Sequence, residues 1–209
     1  MAKYLFYLVV LICFHITYAQ TKYELTPGVK GNELTLTLSN ISSNISALDL
    51  KAKILKPSSS LIFNKDIQIL GQVNPHNETD IKFVFDVKRN APVNKTDTVV
   101  IQINSSNGVN VSKEFLFTYL APKDYKLAQN YPNPFNPSTT IQYQLPFDSR
   151  VSLIIYDILG KEVATLINEQ QPAGFKEITF NAQRFASGVY IYRLSAGKFV
   201  DTKKMMVLK

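Results

Sequence analysis

The sequence predicts an all-β protein made of two β-sandwich domains in tandem behind a cleaved leader, and three observations predict it. Tyr, Phe, Val, Ile and Thr dominate many short runs, and such residues suit a pleated, half-buried surface. Within those runs apolar residues recur at every second position, the period of a strand with one buried face. Clusters of Gly, Pro, Asn and Ser break the runs at short intervals, as turns do. The 209 residues give room for two small domains, and 45% hydrophobic against 19% charged residues suffices for packed cores.

Residues 1–19 form a separate object. Lys3 supplies a positive charge, Tyr4 to Ile16 is apolar save for His15, and Thr17-Tyr18-Ala19 closes on a small residue. A basic start, an apolar stretch of about a dozen residues and a small-residue exit describe a secretory signal peptide. A spanning helix needs about 20 apolar residues, and Gln20, Thr21 and Lys22 arrive too soon for one. Cleavage is expected between Ala19 and Gln20. Acylation at Cys13 is disfavoured, because bulky Ile12 precedes it and the apolar run continues past it.

Residues 20–120 read as one sandwich. Glu33 to Leu38 alternates with Leu34, Leu36 and Leu38 on one face, and Ala47 to Leu55 alternates through Leu48, Leu50, Ala52 and Ile54. A short strand carries Ile67 and Ile69 to Gly71, and Ile81, Phe83, Phe85 and Val87 line one face of the next. Thr98–Ile103 and Val109–Tyr119 flank Ser105-Ser106-Asn107-Gly108, a hairpin turn. Some seven short strands with regular turns in roughly a hundred residues favour an immunoglobulin-like sandwich. As a pattern, the region is similar to the adhesion-type Ig-like modules of exported bacterial proteins. Asn40, Asn44, Asn77, Asn94, Asn104 and Asn110 each open an N-x-S/T triplet. They are read as by-products of Asn- and Ser-rich turns, because glycosylation there needs a eukaryotic secretory route.

Composition excludes several function classes. Removing the leader removes Cys13 and His15, which leaves no cysteine and His76 as the one histidine. Disulfides, thiol chemistry and multi-His or Cys metal sites are thereby excluded. His76 sits in the turn Asn74-Pro75-His76-Asn77, with no nucleophile elbow in the chain. The acidic residues are scattered, and no phosphate loop or EF-hand pattern occurs. The expectation is a non-enzyme without a cofactor. Net charge falls from +7 to +6 with the loss of Lys3, and the basic residues form no stripe, so nucleic acid is not an expected partner.

Residues 121–126, around Ala121-Pro122-Lys123-Asp124, read as a linker, and residues 127–209 as a second small sandwich, also immunoglobulin-like. Pro132, Pro134 and Pro137 exclude a helix and predict an extended, semi-rigid segment. Tyr131 and Phe135 are expected to dock there as aromatic anchors beside a strand that begins near Thr140. Strands follow over Val151–Tyr156, Glu162–Ile167, Glu177–Phe180, Val189–Leu194 and Phe199–Lys209, with turns at Gly160, Gly174, Gly188 and Gly197.

This C-terminal region resembles the type A C-terminal sorting domain of type IX secretion cargo from the Bacteroidota and their relatives. The resemblance rests on Tyr131-Pro132-Asn133-Pro134-Phe135-Asn136-Pro137 and on the hairpin around Gly160. Ser187-Gly188-Val189-Tyr190 and the terminal Lys203-Lys204-Met205-Met206-Val207 complete it. It implies Sec-dependent export through the Sec translocon, then recognition by the type IX outer-membrane translocon. It also implies, where cleavage follows, processing by the system's sortase. The passenger would end in the medium or attached to the outer face of the outer membrane. Recognition of this kind needs a shaped terminal patch, and strand addition to the edge of Phe199–Lys209 is one physical mode. The passenger is expected to mediate adhesion or to bind an unidentified surface protein or glycan. The alternative is a carbohydrate-binding or accessory subunit of a secreted hydrolase, which exposed Tyr or Phe on one sheet would favour.

Overall fold

The computed structural model describes Val9–Leu11 and Lys22–Lys209. Lys3, Cys13, His15, Ala19 and Gln20, and with them the expected cleavage point, lie outside the described residues. The described residues are all-β, with no helix among them. They fall into two compact units. The first runs to Lys88 and resumes at Asn94–Tyr119, and the second holds Arg89–Val93 and Leu120–Lys209.

The first unit is a two-sheet sandwich of Ig-like kind. One sheet has the order β1 (Val9–Leu11), β3 (Asn32–Ser39), β7 (Glu78–Val87), β5 (Leu61–Phe63). The other runs β2 (Lys22–Leu25), β9 (Asn110–Tyr119), β8 (Thr96–Asn104), β4 (Ala47–Lys56), β6 (Ile67–Val73). The backbone of β1, inside the expected leader, lies parallel to Thr37–Ser39. Leu34, Leu36 and Leu38 face the core with Ile81, Phe83, Phe85 and Val87, as their alternation requires. Phe85 meets Phe117 of the opposite sheet at 5.9 Å between ring centroids, which joins the two layers.

This unit departs from the simple alternation at β4 and β6. Leu48 is exposed, while Ala47 and Leu50 are buried. Register shifts in the β4–β6 pairing at this point, and Asp49 takes a φ of 51°, so a bulge turns Leu48 outward. The strand of Ile67 and Ile69 passes Gly71 to reach Val73, and as a sheet edge it leaves Ile69 74% exposed. A buried polar cluster closes the sandwich. Tyr119 Oη donates to Asp97 Oδ2 at 3.1 Å, and Ser58 bonds to the same carboxylate.

The second unit is the other sandwich. Its smaller sheet has the order β10 (Lys126–Leu127), β11 (Ser138–Leu145), β14 (Gly174–Asn181). Its larger sheet runs β13 (Glu162–Gln171), β12 (Ser149–Tyr156), β15 (Gly188–Ala196), β16 (Phe199–Val207). Lys126, read as the last linker residue, instead opens β10. Val151, Leu153 and Ile155 of β12 share a core with Tyr192 and Leu194 of β15, Met205 and Val207 of β16, and Ile141, Tyr143 and Leu145 of β11. β16 is the last strand and lies at a sheet edge, which brings the end of the chain beside the Pro-rich segment.

Candidate recognition site

Residues 129–137 do not run as an extended spacer. The segment bends between two isolated bridges, one antiparallel from Tyr131 to Thr140 and one parallel from Phe135 to Val207. Three X-Pro peptide bonds in it, at Pro132, Pro134 and Pro137, are cis. The bends separate the fates of the two aromatics. Phe135 is 2% exposed and packs against Phe180 at 6.1 Å. Tyr131 is 82% exposed, so the expected pair of anchors is a single anchor.

A buried polar network fixes the bends. Asn130, 2% exposed, donates from Nδ2 to Thr139 Oγ1 at 2.9 Å and to the Pro132 carbonyl at 3.1 Å. Its backbone amide donates to Tyr192 Oη at 2.8 Å, and that hydroxyl donates onward to the Ala128 carbonyl at 2.9 Å. Thr139 Oγ1 donates to the Pro132 carbonyl at 2.7 Å. A carbonyl oxygen has two lone pairs, so the Pro132 carbonyl accepts both side-chain donors. Burial pushes the Tyr192 phenol up to about 12, which keeps it a neutral donor at any physiological pH.

The same segment covers the outer edge of β16. The Phe135 amide donates to the Met206 carbonyl at 3.0 Å, and the Leu208 amide donates to the Phe135 carbonyl at 3.0 Å. The Met206 amide donates to Asn133 Oδ1 at 2.8 Å. The Lys204 carbonyl accepts from Gln129 Nε2 at 2.6 Å and, at a longer 3.5 Å, from Asn133 Nδ2. From Lys204 to Leu208 the edge is therefore occupied by this domain's own side chains and backbone. Strand addition along that stretch would have to displace them.

The remaining motif residues collect at the same end. Gly160 takes a φ of 81° in the turn Asp157–Lys161, where Asp157 Oδ1 accepts the amides of Leu159 at 2.9 Å and Lys161 at 3.0 Å. Gly188 opens β15 opposite Val207. Tyr190 packs edge-on against Phe185 at 5.9 Å and donates to the Ala186 carbonyl at 3.1 Å. Lys203 pairs with Asp201 at 3.3 Å, while Lys204 projects into solvent. Pro132, Pro134, Asn136 and Pro137 are exposed. Asn136 and Pro137 face Ala182, Val207 and Lys209 across an open groove of ≈ 350 Å³. Lys209 is the one ionisable side chain in that lining.

Asn130, Thr139, Tyr192 and Gln129 were not among the residues singled out from sequence. Asn130 directly precedes Tyr131, and a polar residue flanking a Pro-rich turn is the signal that points to it. His76 lies exposed in its turn at a φ of 60°. Among the described residues no three His, Cys, Asp or Glu side chains gather as metal ligands.

The Pro-rich segment is thus folded onto β16 of its own sandwich, with the motif residues gathered at one end of the larger sheet. Residues 129–208 match the family model for the Secretion system C-terminal sorting domain, so this part of the chain belongs to the type IX secretion sorting domains. Such a domain implies an encounter with the type IX machinery and export across the outer membrane to the cell surface or beyond. No curated protein matches the chain in sequence. Similar solved structures include latent dimeric PorU from Porphyromonas gingivalis, at 17% identity and a TM-score of 0.34, over 92% of this chain and 19% of that one. The human desmocollin-1 ectodomain aligns at 12% identity and 0.37, over 90% and 35%. The Escherichia coli chaperone DraB aligns at 13% identity and 0.32, over 96% and 98%.

Proposed function

We propose that this is a secreted or surface-attached, non-enzymatic protein whose Ig-like passenger binds a surface protein or glycan and whose C-terminal domain addresses it to the type IX system. The observation that carries the reading is the match over residues 129–208, whose Pro-rich segment is bonded to the terminal strand. The sequence of residues 1–19 supports entry into the periplasm through the Sec translocon, with cleavage between Ala19 and Gln20. Cleavage there would carry β1 away and leave β3 as the edge of its sheet. Binding suits a passenger whose histidine stands alone in a turn and whose acidic residues form no metal cluster among the described residues.

The sugar-binding alternative asks for free aromatic rings on one sheet. The passenger's two tyrosines do not supply them. Tyr119 is fully buried, and Tyr23 packs against Phe117 at 5.8 Å and Phe115 at 6.4 Å. The test is expression of the full chain and of a chain ending at Ala121 in a type IX-competent host, followed by fractionation. The full chain should reach the surface or medium, and the truncated chain should stay in the periplasm. Equal export of both would sink the sorting role.

A further inference from the structure

The bonds that seal the edge of β16 leave the sorting domain a different surface to present. Tyr156 is in register with Ile191, and Ile191 with Lys204, so all three share one face of the larger sheet. That face is the outer one, because Val151, Leu153 and Ile155 of the same strand β12 fill the core. One step toward the chain's end, Val189 pairs with Met206 on the same outer face, and the two are 38% and 41% exposed. The turn Asp157–Lys161 leaves the sheet at this end and carries Ile158 and Leu159, 72% and 88% exposed. Asp157 Oδ1 accepts two amides of that turn and Gly160 takes its positive φ, so the turn that carries the two apolar side chains is bonded internally. Apolar side chains this exposed and this grouped mark interaction sites, where a scattered few would not.

Charge defines what fits. Arg193 lies over the Tyr156 ring at 5.2 Å, Lys204 stands beside Ile191, and Lys161 follows the turn. Two carboxylates stand at the same end, Glu162, which pairs with Tyr156 and accepts from Thr165, and Asp157, which is bonded within the turn, so the patch is flanked by three cations against two carboxylates that are already engaged. We propose that this terminal end of the outer face, centred on Ile158, Leu159, Val189 and Met206, docks on the outer-membrane export machinery through an apolar partner surface edged by carboxylates. The proposal rests on the sorting role given above and adds the face that the machinery reads. Docking here leaves the bonds of Asn133 and Phe135 to β16 intact, whereas addition of a strand to β16 would break them.

The test uses the full chain in a type IX-competent host. Ile158→Ser with Leu159→Ser removes two exposed side chains from the patch, and Phe147→Ser removes one that is 70% exposed at the opposite end of the sheet. Thermal unfolding of each purified chain checks that the fold survives, with shifts under about 2 °C expected for surface changes. The double variant should reach the surface about tenfold less than wild type, a loss of the size two anchors can carry. Phe147→Ser should export normally, and Lys204→Glu should fall below a Lys198→Glu control. Normal export of the double variant, with the Ala121 truncation retained in the periplasm, overturns the docking face and leaves the sorting role standing. Export of the truncation as well overturns both. Equal loss from Phe147→Ser, or a wild-type dimer in light scattering that the double variant splits without losing export, also overturns the proposal.

Discussion

The Met206 amide donates to the Asn133 carboxamide oxygen at 2.8 Å, which joins positions 73 residues apart. The bond links the Pro-rich start of the sorting domain to the strand that ends the chain. An edge strand with unpaired amides is a template for other chains. Here Asn133, Gln129 and the Phe135 backbone occupy the edge of β16 from Lys204 to Leu208. The two motifs are therefore one structural object, and a change in either loosens the other.

Asn133→Ala should release the Met206 amide without unfolding the domain. Met206 is 41% exposed, so water can replace the lost acceptor. The net cost should stay near that of one hydrogen bond, about 0.5–1.5 kcal/mol. Amide hydrogen exchange over residues 205–209 should speed up by roughly tenfold. Unchanged exchange there would mean that the amide is protected by something other than Asn133.

Gly160→Val should cost about 1–2 kcal/mol, because a β-branched side chain resists the left-handed region. The cause is conformational rather than steric, since a Cβ at Gly160, where φ is 81°, meets nothing within 4 Å. Gly160→Asn, a residue that tolerates this region, should recover most of the loss in the same denaturant titration. If Asn and Val proved equally costly, the explanation by backbone conformation would fail.

Much of the fold was legible because period-two alternation reports a buried face directly. Ile81, Phe83, Phe85 and Val87 fall inward as read. The failures have local causes. At Leu48 the bulge shifts the period by one residue, and nothing in Ala47-Leu48-Asp49-Leu50 announces it. Strands β5 and β10, three and two residues long, are too short to show any period. The site was legible as a set of motifs and illegible as an arrangement. Tyr131 and Phe135 look alike between prolines, and the bends that expose one and bury the other depend on Asn130 and Thr139. The bonds to β16 span more than seventy positions, and no local pattern encodes such a pairing.

Tyr192→Phe should destabilise the second unit by about 1–3 kcal/mol, the cost of leaving buried polar groups unpaired. The hydroxyl it deletes accepts the Asn130 amide and donates to the Ala128 carbonyl. The ring would still fill its place in the core, so packing should survive. Urea unfolding of the full chain should show an earlier transition for the C-terminal unit, with the passenger transition unmoved. Loss in the passenger transition instead would contradict the assignment of this network to one unit.

Alkaline pH should unfold the protein through three buried phenols. Burial pushes Tyr119, Tyr143 and Tyr192 each to about 12. In the unfolded chain a tyrosine ionises near pH 10. Between about pH 10 and 12 the unfolded state therefore binds fewer protons than the folded one, and stability falls as pH rises. Below pH 10 both states are protonated, and the contribution is fully present. The melting temperature should hold nearly level to about pH 9 and then drop steeply. Tyr143→Phe, which also removes the 2.7 Å bond to Gln171 Oε1, should flatten that drop while lowering stability at neutral pH. Tyrosinate absorbance at about 295 nm should rise in two phases, exposed phenols first and the buried three only with loss of the β-sheet circular dichroism signal. A single phase near pH 10 with the sheet signal intact would show that these hydroxyls reach solvent in the folded chain.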